Sequence, residues 1–295
     1  MIEKHQITNE PKPPFPLQKQ ESPGLESKMY PRPRFEAFQY KAAEKLKGKK
    51  ALITGGDSGI GRAVAVLYAQ EGADVAITFL PQERSDAEET EKHVTAFGKR
   101  CLLIEGDLIH EDFCRLAVKK TVEEFGALDI LVSNAAHQMR KKSLEEISSE
   151  EWDRTFKINI YAYFYLAKEA LKYMKEGSAI IATSSETAMM GPKELPDYSA
   201  TKGAINTFTK SLAQMLVGKG IRVNAVAPGP VWTPLNVSDE GASLEKVQQF
   251  GKDQPIKRPA QPEEIAPAYV FLASDADSSY ITGAILPETG GLPIN

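Results

Sequence analysis

The chain has 295 residues, 42% of them hydrophobic and 26% charged, with a formal net charge of −4. That balance suits a globular core and argues against a nucleic-acid-binding surface, which needs a basic excess. No run approaches the ~18 consecutive apolar residues of a bilayer span, so neither nucleic acid nor membrane is an expected partner.

The N-terminal segment 1–47 stands apart. It holds seven of the 19 prolines but one of the 21 glycines, Gly24. Proline fixes φ and lacks an N–H, so this segment reads as an extended arm rather than a long helix or a central strand. Tyr30, Phe35, Phe38 and Tyr40 offer anchors for partial docking on the body or on a neighbouring subunit. Residues 1–16 are charged and proline-rich without an apolar stretch, unlike a secretory signal. Only Cys101 and Cys114 occur, which favours a reducing, cytoplasmic location. The four histidines show no metal-ligand spacing, so no metal is expected.

From residue 48 onward, apolar runs alternate with amphipathic stretches. Strands are expected over 51–54, 74–79, 100–105, 128–133, 178–183, 221–227 and 281–287, and helices over 60–71, 85–97, 111–125, 151–175 and 198–217. Continuous β-branched runs separated by helices predict a parallel sheet covered on both faces. The fold class is therefore α/β, one doubly wound sheet of about seven strands across 48–295. Such sheets bind ligands at the carboxyl ends of their strands.

The first strand runs into Gly55, Gly59 and Gly61, spaced G-x-x-x-G-x-G, and then into a helix. Residues without a Cβ permit a tight turn and close approach of a diphosphate. The helix start then offers unpaired N–H groups and a positive dipole end. Further on, Tyr198 has Lys202 four residues later, one turn along the same helical face. A phenol titrates near 10, and an adjacent ammonium would bring it toward the range of a general acid/base. Thirteen residues before Tyr198, Ser185 follows a strand at its carboxyl end, where its hydroxyl could hold a carbonyl.

Taken in order, Thr54-Gly55-x-x-x-Gly59-x-Gly61, Asn134-Ala135-Ala136, Asn159, Ser185, Tyr198 with Lys202, and Pro228-Gly229 resemble the short-chain dehydrogenase/reductase family, from about residue 49 to the end. Segments 258–265 and 271–274 look like that family's C-terminal part. The proline-rich arm and the run Gly55-Gly56-Asp57-Ser58-Gly59 look like a bacterial subgroup that includes general stress proteins.

The resemblance implies a Rossmann-type fold and an NAD(P)(H)-dependent reaction on a carbonyl or secondary alcohol. Tyr198 would transfer the proton, Lys202 would lower its pKa and hold the nicotinamide ribose, Ser185 would polarise the substrate oxygen, and Asn159 would hold a water linked to Lys202. Gly55, Ser58, Gly59, Ile60 and Gly61 would cradle the diphosphate. Asp107 and Leu108 would meet the adenine, while Asn134, Ala135 and Ala136 would lie beside the cofactor. Pro228, Gly229, Val231 and Thr233 would receive the carboxamide. The family's habit of pairing the helices 151–175 and 198–218 between subunits implies a homotetramer.

Three departures stand out. Ala136 replaces a usual glycine, which is harmless if φ is negative. Glu288-Thr289 replaces a common Asp-Gly pair. The end of the second strand reads Thr78-Phe79-Leu80-Pro81, with no acid before Glu83 and with Arg84 nearby, so NADP is slightly favoured over NAD. The pocket walls are expected from 137–142, 186–196 and 232–254, mixing Met189, Met190, Leu195, Trp232 and Leu235 with Lys141, Lys142 and Lys193. Segment 235–254, with Ser243 capping a helix over 244–252, reads as a mobile lid. The alternative to an enzyme is a nucleotide-sensing or interaction protein on the same fold.

Overall fold

The structure, a computed structural model, describes residues 10–294. Its elements after the arm are β1 (Lys50–Thr54), α1 (Gly59–Gln70), β2 (Asp74–Phe79), α2 (Arg84–Thr95), β3 (Cys101–Glu105), α3 (Glu111–Phe125) and β4 (Ile130–Ser133). There follow α4 (Ser149–Phe156), α5 (Ala162–Ala170), β5 (Ala179–Thr183), α6 (Thr187–Met190), α7 (Pro196–Leu216), β6 (Arg222–Pro228), α8 (Pro234–Val237), α9 (Leu244–Gln248), α10 (Pro262–Ala273), α11 (Asp275–Ser278) and β7 (Ile285–Glu288). The seven strands form one parallel sheet in the order β3-β2-β1-β4-β5-β6-β7. The order reverses beside β1, placing a crevice at the carboxyl ends of β1 and β4.

Two apolar layers enclose the sheet. Ala51, Ile53, Val75, Ile77 and Val132 face α1 and α10, while Leu52, Ala76, Leu131, Ile180 and Val223 face α3, α5 and α7. Successive residues alternate between the two layers, as the pleat requires, and both layers are buried, so the strands read as unbroken apolar runs.

Boundaries moved where local chemistry outweighs the apolar pattern. The expected helix 151–175 is two helices joined by a π turn over Lys157–Tyr161, and it ends at Ala170. α7 starts two residues early because Pro196 suits the first helical turn. β7 begins at Ile285 rather than 281, after Gly283 with φ of +78°.

The arm, from residue 10, docks on the body. Phe15 and Met29 bury with Trp232, Val237, Ala242 and Val247 in a third apolar cluster, and Phe35 and Leu46 join the layer around α1 and α10. Of the four expected anchors, Phe35 is buried and Tyr40 hydrogen-bonds Glu71. Tyr30 and Phe38 point to solvent, 72% and 81% exposed. The first nine residues of the expected arm lie outside the described residues.

The same cluster corrects the reading of 235–254 as a loose lid. Trp232 and Val237 are completely buried, and α9 spans only Leu244–Gln248, capped by Ser243 Oγ, which accepts from Lys246 N at 3.2 Å. Val237, Ala242 and Val247 pack with Phe15 and Met29 of the arm, while Leu244, Glu245 and Lys246 stay exposed. Among the described residues, no helix is long and apolar enough to cross a membrane.

Candidate active site

Three strand ends are tied together first. Thr54 Oγ1 accepts from the N–H groups of Asn134 (2.9 Å) and Ala135 (3.0 Å), and Asn134 Nδ2 donates to the carbonyls of Thr54 (3.0 Å) and Gly55 (3.2 Å). Thr183 Oγ1 donates to Asn134 Oδ1 at 3.1 Å. Asn134 therefore holds β1, β4 and β5 in one register at the crevice. Ala136 is absent from the positive-φ residues, so the missing glycine costs nothing there.

The glycine turn needs its glycines for two reasons. Gly55 and Gly59 have φ of +62° and +53°, a left-handed backbone that disfavours side chains. A Cβ on Gly61 would stand 1.9 Å from the Gly55 carbonyl oxygen, so the helix closes directly onto the turn. Ser58, extended, is the N-cap of α1, and Ile60 follows in its first turn.

On the far side Asp107 and Leu108 line the same cleft. Asp107 Oδ1 accepts from Ile109 N at 3.0 Å, so turn chemistry is part of its work. Pro228, Gly229, Val231 and Thr233 form the opposite wall.

α7 carries the titratable pair. Tyr198 and Lys202 lie one turn apart, with Lys202 Nζ 5.2 Å from the Tyr198 ring centroid and donating to the Thr183 carbonyl at 2.7 Å. Burial pushes the Lys202 ammonium down to about 7. Burial also pushes the Tyr198 phenol up to about 12, while hydrogen bonding to Ser185 and the charge of Arg140 oppose that shift and Glu186 adds to it. This corrects the expected lowering of the phenol by Lys202: the phenol lies above its ordinary value, Lys202 faces a carbonyl, and the groups that pull the phenol down are Ser185 and Arg140.

Ser185 Oγ accepts from Thr187 N at 3.2 Å. Asn159 sits in the π turn, where Oδ1 accepts from His137 N (2.7 Å) and Nδ2 donates to His137 O (2.9 Å) and Thr201 Oγ1 (3.0 Å). It thus locks the 137 strand-end loop to the helix turn that carries Lys202.

The walls differ from expectation. Leu195 and Leu235 line the cleft, joined by Gln138, Arg140 and Phe250. Trp232 turns away to stack on Phe15 at 4.1 Å, and Met190 is 52% exposed. Besides Lys202, the basic groups at the cleft are Arg140 and Arg154 rather than the lysines 141, 142 and 193. Arg140 is held by Asp239.

Asp57, Glu83, Glu186 and residues 22–24 of the arm also line the cleft, though the sequence did not mark them as site residues. Asp57, in the glycine turn, is 2% exposed with Oδ2 unpartnered among the described residues. Glu83 faces the same end of the cleft. Glu186 directly follows Ser185; burial pushes its carboxyl up to about 7, and Oε2 has no partner among the described residues. Both Asp57 and Glu186 sit inside or next to recognised motifs, which is the signal that could have found them.

A family model described as enoyl-(acyl carrier protein) reductase matches residues 55–293. The chain is 56% identical over 286 residues to general stress protein 39 of Bacillus subtilis (strain 168), covering 97% of this chain and 98% of that one. It belongs to the short-chain dehydrogenase/reductase family. It is also 51% identical to a glucose and ribitol dehydrogenase of Daucus carota, over 95% of this chain and 98% of that one. A short-chain dehydrogenase from Burkholderia cenocepacia J2315, solved in complex with NADP, aligns with a TM-score of 0.77 and 32% identity over 84% of this chain and 98% of that one. This short-chain dehydrogenase/reductase is therefore an oxidoreductase that uses a nicotinamide dinucleotide. The residues present fit that group: Gly55, Ser58, Gly59 and Ile60 line the cleft where a diphosphate would lie, and the buried, unpartnered Asp57 Oδ2 offers a hydroxyl acceptor.

Burying Lys202 carries a stability cost with a definite sign. Its folded pKa lies below its unfolded value, so the unfolded chain binds the proton more tightly and this group lowers stability most below about 7. The penalty fades as pH rises toward 10.5. Lys202→Met should raise the melting temperature by a few degrees at pH 6 and by much less at pH 9, measured by differential scanning calorimetry. An equal effect at both values would show that the lysine is not desolvated.

Proposed function

We propose that the protein transfers a hydride between nicotinamide and a carbonyl or secondary alcohol carbon, with Tyr198 as general acid/base. The observation that carries this reading is the meeting of Ser185, Tyr198 and Lys202 in one buried corner of the cleft that also holds the glycine turn. When bound, the nicotinamide supplies or accepts the hydride. Ser185 holds the substrate oxygen, Tyr198 gives or takes its proton, Lys202 anchors the cofactor ribose and supports the phenol, and Asn159 keeps the adjoining backbone and a water in place. Gly55, Ser58, Gly59, Ile60 and Gly61 bind the diphosphate, Asp107 and Leu108 the adenine, and Val231 and Thr233 the carboxamide. Tyr198→Phe, which keeps the ring, should lower kcat at least ~100-fold while dinucleotide binding persists. Near-normal turnover would sink the assignment, and turnover itself separates an enzyme from a nucleotide sensor.

The substrate side combines Leu195, Leu235 and Phe250 with Gln138, Arg140 and Glu186. That mixture supports a small or medium carbonyl or alcohol bearing hydroxyl or anionic groups, and the name of the carrot relative points the same way. The two cysteines, free in the structure, support a cytoplasmic location.

NADP is the slightly favoured cofactor, supported by the complex formed by the Burkholderia relative. Burial and the neighbouring Asp57 push Glu83 up to about 8, so at neutral pH it is uncharged and does not repel a 2′-phosphate. Above that value it ionises. The ratio of KM for NADP to KM for NAD should therefore rise between pH 7 and 9. A flat ratio would remove Glu83 from the adenosine end.

A homotetramer is proposed from the apolar groove formed by Ile160, Tyr161, Phe164, Tyr165, Ala204 and Phe208 on α5, α7 and the π turn. In this groove Tyr161 is 42% and Phe164 43% exposed, so its aromatic side chains stand at the surface of the single chain. Light scattering at micromolar concentration should give four times the chain mass, and a monomer mass would rule the assembly out.

A further inference from the structure

The docked arm meets the cleft on both of its sides. Ser22, Pro23 and Gly24 line the same cavity as the glycine turn. Gly24 lies so close to α8 that a Cβ would come within 3.0 Å of Ser238 Cβ and 3.2 Å of the Pro234 carbonyl oxygen. Two residues on, the Glu26 side chain is completely buried. One carboxylate oxygen accepts from Gly59 N at 2.6 Å and the other from Arg62 Nη1 at 2.7 Å. Gly59 is the first residue of α1, so this carboxylate holds an amide at the positive end of that helix.

The rest of the arm grips the opposite wall. Phe15 N donates to Gln248 O at 2.7 Å, Gln20 N to Val237 O at 3.2 Å, and Trp232 Nε1 to Pro31 O at 2.8 Å. Phe15 stacks on the Trp232 ring. One continuous segment thus connects the diphosphate turn to the wall 232–248, with 22–24 exposed to the cavity between them.

We propose that the arm is a wall of the dinucleotide site: residues 22–26 close the diphosphate half of the cleft, and Glu26 is a positioning residue that fixes the glycine turn. The inference rests on the reading of this cleft as the dinucleotide site. A carboxylate is needed at 26 because two different donors, an amide of the turn and a buried guanidinium, converge on it. Without it the Gly59 N–H loses its partner and Arg62 Nη1 keeps only the partly exposed Glu89, so the turn relaxes toward whatever satisfies them. Dinucleotide and arm then reinforce each other, since a ligand that binds the docked form also stabilises docking by the same factor.

The test uses the full chain. Glu26→Ala should raise the dissociation constant and the KM for the dinucleotide about tenfold, an ordinary size for such coupling, with a much smaller effect on kcat. Glu26→Gln, which keeps one acceptor, should fall between. In the wild-type protein, saturating dinucleotide should slow tryptic cleavage after Lys19 and Lys28, and the variant should lose that protection. If Glu26→Ala fails to fold, Phe15→Ala, remote from the buried ion pair, carries the same measurements. Wild-type affinity in a folded variant, or cleavage indifferent to dinucleotide, overturns the proposal while leaving the cofactor reading intact. Failure of the wild-type protein to bind either dinucleotide would instead defeat the cofactor reading, and the proposal with it.

Discussion

Arg62 carries a fixed positive charge and no measurable exposure. Taking a guanidinium out of water is expensive, and only a nearly complete set of acceptors offsets the loss. Here the set comes from three places: Glu26 of the arm, Asp57 O of the glycine turn, and Thr90 Oγ1, Asp86 O and the partly exposed Glu89 of α2. The Phe35 ring lies 4.9 Å from the guanidinium carbon. Because each partner is needed to keep the others' shared cation satisfied, arm, turn and second helix hold one mutual geometry. The cofactor end of the cleft inherits its shape from that arrangement.

The substrate end follows a different logic. There the polar network is built from neutral groups, Thr54, Asn134 and Thr183, whose short side chains bond across strand ends. Lys202 hangs from the last of these strands through the Thr183 carbonyl. Burial works on Lys202 and Tyr198 in opposite senses, favouring the neutral form of each. The phenol therefore stands above the range in which a general acid/base works best, and the groups that lower it are Ser185 and Arg140.

Much of this was legible from residue order. The sheet announced itself because parallel strands buried on both faces, such as Ala179–Thr183, contain no polar break. The glycine turn and the Tyr198–Lys202 pair declared themselves by spacing, which is local. What was not legible depends on contacts distant in sequence. Nothing near Trp232 shows that it will leave the pocket for Phe15, because its partner lies over two hundred residues away. The helix 151–175 conceals a π turn since its apolar pattern stays helical while Asn159 draws its bonds from the 137 loop. Asp57 and Glu83 stood inside or beside named segments and Glu186 beside Ser185, but their place in the cleft wall shows only in the fold.

The arm also sets an order of events during synthesis. Phe15 and Met29 leave the ribosome before the groups that cover them, Trp232, Val237 and Val247, which come more than two hundred residues later. At the usual ~5–20 residues per second, those side chains wait roughly 10 to 50 s for their cover. Through that interval the nascent chain carries uncovered aromatic surface, and the prolines around it supply few N–H groups for misplaced strand pairing. A composition that looks like that of a linker is therefore also what keeps a waiting segment soluble until the last third of the chain arrives.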